Sequence, residues 1–125
     1  MDKVLYVALG GAIGSSFRYI LSALIPQIIG KIFLWGTLSV NIIGSLLIGI
    51  LWAYFENNLS QFNLKLFLVV GILGGFTTFS SYALETINLF KTDGIRIVIL
   101  YILATNIFGI LAAFGGYYLT KQFYH

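Results

Sequence analysis

Apolar residues run along this chain in four long blocks, about Val4–Ile25, Phe33–Phe55, Leu66–Phe90 and Ile95–Leu119. Each is long enough to cross the hydrocarbon core of a bilayer as a helix. The pattern predicts an all-α integral membrane protein with four transmembrane helices and a single membrane domain, residues 1–125. Polar punctuation separates the blocks. Pro26 and Gly30-Lys31 mark a short loop, Glu56-Asn57-Asn58 to Gln61-Phe62-Asn63 a polar loop, and Lys91-Thr92-Asp93-Gly94 a turn.

The third block breaks its own pattern. Within Gly71–Glu85 lie three glycines, four Ser and Thr hydroxyls and one carboxylate. Glycine weakens a helix, and Thr and Ser hydroxyls satisfy backbone groups that a break lays bare. Irregular backbone at membrane depth survives only where protein buries it or it lines a wet cavity. The third helix is therefore expected to be broken near its middle, with the break as the functional centre. Beyond it Thr78, Ser81, Glu85, Asn88 and Thr92 are spaced 3, 4, 3 and 4 residues apart, a polar stripe on one helix face. Phe79 and Tyr82 lie beside it, and an aromatic edge is the positive end of its ring quadrupole. The stripe suits a narrow polar pathway; the bland alternative is a seam between helices.

The other spans carry fewer polar groups. Gly10-x-x-x-Gly14 and Gly11-x-x-x-Ser15 give the first helix a face for close packing. Arg18 continues that face one turn on. It either snorkels to the interface or stands at the base of an aqueous vestibule that attracts anions. Thr37, Asn41 and Ser45 share a face of the second helix. Asn41 is either glue between helices or an amide donor to a dehydrated anion. In the fourth helix Thr105 and Asn106 form a polar pair with Tyr101 one turn earlier. Thr105, Gly109, Ala112 and Gly116 make a small-residue face, and Tyr117-Tyr118 with Phe123-Tyr124 resemble an interfacial aromatic belt.

Composition narrows the function classes. The chain is 59% hydrophobic and 9% charged, with mean hydropathy +0.97, more apolar surface than a soluble domain of this size hides. A pI near 9.3 does not indicate nucleic acid, because seven cations scattered over four spans form no basic stripe. There is no nucleotide-binding loop, which argues against ATP-driven pumping. Cysteine is absent, the lone His125 is terminal, and no carboxylate pair or Ser/His/Asp set occurs, so an enzyme is not expected. The N-terminus, with Asp2 beside Lys3, does not read as a signal peptide. Four spans put both termini on one side with Lys3, Lys65 and Lys121, against Lys31, Lys91 and Arg96 opposite. Three against three leaves the positive-inside rule nothing to act on, which fits insertion either way up and equally fits chance.

Four tightly packed helices fill their own centre, so a dimer is the better conduit. If its copies are antiparallel, the two breaks meet near the midplane. Their freed carbonyls then suit a small hard cation, and the helix restarting at Thr77–Thr78 directs its positive end toward an anion. Three motifs now carry a resemblance. Gly74-Gly75-Phe76-Thr77-Thr78-Phe79-Ser80-Ser81 with Glu85 resembles the GGxTTFS(T)F…E signature of the CrcB/Fluc fluoride channels. Gly36-Thr37-Leu38-Ser39-Val40-Asn41-Ile42-Ile43-Gly44 resembles that family's GTLxVNxxG segment, and Gly10-Gly11-x-x-Gly14-x-x-x-Arg18-Tyr19 its GGxxGxxxRY opening.

The resemblance covers essentially the whole chain. It implies a dual-topology antiparallel dimer in the cell membrane, formed with a second copy or a related sister chain, that exports fluoride passively and limits cytoplasmic fluoride toxicity. It implies a structural Na⁺ at the dimer centre, held by the carbonyls of Gly74 and Thr77, and no organic cofactor. Asn41, Phe79, Ser80, Ser81, Tyr82 and Glu85 would lie on or beside the fluoride pathways, with Arg18 at a vestibule and Thr78, Tyr101 and Thr105 as further candidates. Tyr82 departs from the family's usual Phe and adds a hydroxyl. The alternative is a proton-coupled small multidrug-type transporter, but such carriers place their membrane Glu in the first span. Here that span embeds Arg18, and the available carboxylate, Glu85, is in the third. A third reading is a non-transporting assembly subunit.

Overall fold

The computed structural model describes residues 2–29, 35–56, 58 and 60–123. The expected Gly30-Lys31 loop, the start of the second span at Phe33, and Asn57, Tyr124 and His125 lie outside the described residues. Helix α1 is Asp2–Ile29 and α2 is Trp35–Glu56. The third span is built of α3 (Phe62–Lys65), a π-helical stretch (Leu66–Leu73), α4 (Gly74–Phe76) and α5 (Ser80–Asp93). Helix α6 is Ile95–Phe123. These helices are long and apolar enough to cross a membrane four times. Large apolar side chains such as Leu9, Phe17, Ile99, Phe108 and Leu111 are exposed on the outer faces, as lipid-facing residues are.

Two punctuation readings are corrected. Pro26 does not end α1, which stays helical to Ile29. Proline removes the N–H that would bond the carbonyl four residues back, here Ser22. At that point α2 comes close enough that a Cβ on Gly36 would lie 2.7 Å from the Ser22 carbonyl oxygen. The polar loop after α2 is also shorter than expected, because Phe62 and Asn63 already belong to α3. Gly94, at φ 85°, takes the left-handed conformation that ends α5, and its N–H donates to the Phe90 carbonyl at 3.2 Å.

Packing follows the small residues. Helix α2 packs most extensively on α6, and α1 on the π-helical stretch and α4. Gly10 and Gly14 rest on the backbone of Phe67, Gly71 and Ile72, and Gly75 rests on Gly11. The first helix thus uses its small face as expected. On α6 it is Gly116 and Ala113 that meet α2, at Leu46 and Gly49; Gly109 only faces Ser45 at ordinary contact distance. A buried cluster of Leu38, Tyr82, Leu89, Val98 and Tyr101 ties α5 to α2 and α6. Lys3, Lys65 and Lys121 come to one end, where Lys65 lies 4.0 Å over the Trp52 ring and Lys121 pairs with Glu56. Glu56 also accepts the Tyr117 hydroxyl.

Candidate functional site

The helical ladder of the third span stops after Phe76 and resumes at Ser80. The glycines are not where it gives way, for Gly71, Gly74 and Gly75 all keep helical winding. The backbone leaves the helix at Thr77, with φ −83° and ψ 156°. Both the Thr77 N–H and its hydroxyl donate to the Leu73 carbonyl four residues back, each at 2.9 Å, the last helical bonds before the chain turns extended. The restart also lies later than Thr77–Thr78. Helix α5 begins at Ser80 with Phe79 as its cap residue, and Thr78, whose Oγ1 accepts the Ser81 N–H at 3.1 Å, stands one position further out.

Asn41 closes the gap from α2. Its Nδ2 donates to the Thr78 carbonyl at 3.2 Å, and its Oδ1 accepts the Thr78 N–H at 3.0 Å. The amide stands in for a strand partner, exchanging both bonds with one residue. Hence the N–H that a continuous helix would give to the Gly74 carbonyl is given to α2. Arg18 meets the interruption from the α1 side, where its Nε–H donates to the Gly75 carbonyl at 3.1 Å. A backbone acceptor inside the protein compensates a cation at this depth. Arg18→Met is expected to lower stability by about 1–3 kcal/mol by leaving that carbonyl unpaired; an unchanged thermal transition in detergent would show the contact to be idle.

Between α2, the interruption and α6 lies a cavity of about 390 Å³, open on one side. Asn41, Gly44, Ser45, Gly74, Thr77, Thr78, Phe79, Tyr82, Thr105 and Asn106 are on its wall. The structure therefore gathers Asn41, Gly74, Thr77, Thr78, Phe79, Tyr82 and Thr105 around one space. Phe79 and Tyr82 meet edge on, with ring centroids 5.6 Å apart. Phe79 remains 77% exposed, its outer side uncovered within one chain.

Other expected residues stand off that wall. The Ser80 hydroxyl is 3.3 Å from Thr78 Oγ1. Ser81 gives its backbone N–H to Thr78 Oγ1. Glu85 accepts the Tyr101 hydroxyl at 3.2 Å, and the Tyr101 ring lies 5.3 Å from that of Tyr82. Of the rest of the stripe, Thr92 bonds back to Asn88 and Leu89 of its own helix, and Asn88 is exposed. Asn106, which sequence reasoning paired with Thr105 without giving it a role, reaches the Tyr82 hydroxyl. Its signal was present: a polar residue beside Thr105 in an otherwise apolar helix. No group of three or more His, Cys, Asp or Glu side chains suited to a metal occurs among the described residues, so a cation here would rely on backbone oxygens.

Four apolar spans with polar groups turned onto a cavity open on one side mark a multi-pass membrane protein of the plasma membrane. The chain belongs to the CrcB family, whose profile, described as CrcB-like protein, Camphor Resistance (CrcB), matches residues 5–117. Its relatives include proteins named fluoride-specific ion channel FluC. The one from Agrobacterium fabrum is 43% identical over 125 residues, 99% of this chain and 100% of the relative. Those from Parabacteroides distasonis and Bacteroides fragilis are 44% and 40% identical, over 98% of this chain and 95% and 99% of their own lengths. The family is one of channels rather than enzymes.

Proposed function

We propose that the chain is a fluoride-selective channel that lets fluoride leave the cytoplasm passively and so limits its toxicity. The observation that carries the reading is the interruption at Thr77–Phe79, bridged by Asn41 and opening onto a largely apolar cavity studded with a few hydroxyl and amide side chains, in a chain whose relatives bear the fluoride-channel name. Fluoride is small and strongly hydrated, so only close donors replace its water. The Asn41 amide, with a second Nδ2 proton beyond the one given to Thr78, the ring edges of Phe79 and Tyr82, and the hydroxyls of Ser80, Ser81 and Thr105 are such donors. Arg18, on the α1 side of the interruption, is the vestibule cation on this reading, and Glu85 with Tyr101 forms the inner flank of the route.

The functional unit on this reading is an antiparallel dimer, with a second copy or a related sister chain. Three facts support it: the cavity is open on one side, the Phe79 ring is uncovered, and the sequence divides its loop cations evenly between the two sides. The interruption then serves as the functional break. The donor set also fits a structural Na⁺ at the dimer centre. Gly74 is exposed, the amide that would bond its carbonyl is turned to Asn41, and Thr77 is extended, which frees hard oxygen ligands of the kind Na⁺ takes. Bound there by the Gly74 and Thr77 carbonyls of both chains, Na⁺ would supply a fixed positive charge that holds the two interruptions together.

The decisive experiment is efflux from liposomes carrying the purified protein, read with a fluoride-selective electrode. Fluoride should leave far faster than from empty vesicles and chloride should not. Proton-driven uptake of a lipophilic cation without fluoride efflux would establish the small multidrug-type alternative, and no transport at all the assembly-subunit reading. Replacing Na⁺ by a bulky organic cation during purification is expected to lower the thermal transition of the dimer. Indifference to that exchange would remove the cation from the account.

A further inference from the structure

A second groove, of about 440 Å³, opens between the C-terminal halves of α2 and α6, at the end where Lys65 and Lys121 gather. Its inner wall is Ile48, Gly49, Trp52, Ala113, Phe114 and Tyr118, and Glu56 and Tyr117 stand at its mouth. The two helices meet at Gly49, where a Cβ would overlap the Ala113 carbonyl oxygen, so backbone contact closes the groove from behind. The rings of Phe114 and Tyr118 stack along one flank with centroids 6.2 Å apart. The mouth is charged. Glu56 accepts the Tyr117 hydroxyl on both carboxylate oxygens and pairs with Lys121. From α3, Lys65 holds its ammonium 4.0 Å over the Trp52 ring and makes no ion pair among the described residues. Two cations against one carboxylate leave the mouth with surplus positive charge.

We infer that this groove seats one anionic phospholipid, with an acyl chain between α2 and α6 and its phosphodiester on Lys65 at the mouth. From Glu56 to Ile48 the groove runs inward by about 12 Å along α2, the depth over which a headgroup gives way to its chain. Trp52, Tyr117 and Tyr118 stand where interfacial aromatics belong. The chain alone does not select the lipid, because bulk hydrocarbon is as apolar as the groove. Selection falls to the mouth, where surplus positive charge matches a singly negative headgroup and gives a zwitterionic one no such advantage. Glu56 repels a phosphate, but Lys121 and Tyr117 already engage it, and Lys65 is the cation left over. The inference concerns the membrane side of the protein and stands apart from the fluoride-channel reading.

The test reads Trp52 directly. The chain has two tryptophans, so Trp35→Phe in the full-length protein leaves Trp52 as the sole reporter. In phosphatidylcholine vesicles its fluorescence is titrated with phosphatidylglycerol brominated on the acyl chain, and separately with brominated phosphatidylcholine. Quenching should show a preference for phosphatidylglycerol of about fivefold, the order contributed by one lysine near a lipid surface. Lys65→Gln should abolish that preference and Lys65→Arg should keep it. Glu56→Gln should raise it by about the same factor, because the mouth then loses its carboxylate. Lys91→Gln, the same charge change in the last turn of α5, should leave it unaltered. Equal quenching by the two lipids overturns the site, as does a preference that Lys91→Gln lowers as much as Lys65→Gln. A Trp52 that neither lipid quenches also overturns it, because protein, a second copy or another chain, then covers the groove. Loss of the preference on adding inorganic phosphate at matched ionic strength would give the mouth to a free anion and overturn the lipid as its occupant.

Discussion

Asn41→Asp is expected to reduce fluoride efflux by more than about a hundredfold, and Asn41→Ala by less. Both lose the Nδ2 donor that holds the Thr78 carbonyl at 3.2 Å. The aspartate can still accept the Thr78 N–H, so it keeps half of the clamp, whereas alanine leaves both backbone groups bare. On clamp geometry alone, then, aspartate is the milder change. On charge it is the harsher one. A carboxylate about 5 Å from a passing anion, at an effective dielectric near 20, repels it by roughly 3 kcal/mol, more than a hundredfold in rate. The order of the two variants therefore decides which property of Asn41 matters. Aspartate slower than alanine means that the amide faces the ion; alanine slower means that it chiefly splints the interruption. Undiminished flux in the aspartate variant would take Asn41 out of the mechanism.

The same residue shows how far the sequence could be read. That Thr37, Asn41 and Ser45 share a face follows from helical spacing, and that an amide in lipid needs partners follows from its polarity. Which partner it finds depends on how α2 docks, and nothing local to α2 encodes that. Asn41 bridges to Thr78, 37 residues on. Arg18 likewise announces that it must be compensated, but the Gly75 carbonyl that compensates it is 57 residues away. The four spans, by contrast, are written in runs of apolar residues, though a run does not say where its helix ends, and α1 continues through Pro26 to Ile29. A run such as Leu66–Leu73 has no polar member to mark a phase, so its π winding left no trace in the pattern.

Expectation and structure also differ instructively over the glycines of the third span. Composition pointed to them as the weak point of the helix, since glycine is the poorest helix former after proline. Gly71 and Gly75 instead stay helical and act as contact surfaces, each meeting the backbone of α1. What undoes the ladder is the pair Thr77–Thr78: Thr77 keeps its helical bonds to Leu73 but turns extended, and the Thr78 N–H and hydroxyl then find Asn41 and Ser81. Local hydrogen bonding by hydroxyl residues competes with the helix, and here the second helix supplies the competitor with a rigid partner.

That division of labour makes α1 the brace on which the interruption depends, and Gly14→Ala the variant expected to harm the fold most. A Cβ at Gly14 would overlap the Ile72 carbonyl oxygen and lie 2.8 Å from the Ile72 carbon and 2.9 Å from the Phe76 nitrogen. All three are backbone atoms, so no rotamer change relieves them, and α1 must move away from the segment that ends at Phe76. Gly10, Gly14 and Arg18 share one face, and retreat at Gly14 pulls the Arg18 guanidinium off the Gly75 carbonyl as well. The combined loss of close packing and of a charged hydrogen bond is on the order of 3–5 kcal/mol. Gly115→Ala is the matched control, because a Cβ there meets nothing within 4 Å among the described residues, and its effect should stay within about 0.5 kcal/mol. Thermal unfolding in detergent reads the difference directly, and efflux should fall with it for Gly14→Ala alone. Equal stability of the two alanine variants would mean that α1 does not brace the interruption, and would detach the glycine face from the channel's working geometry.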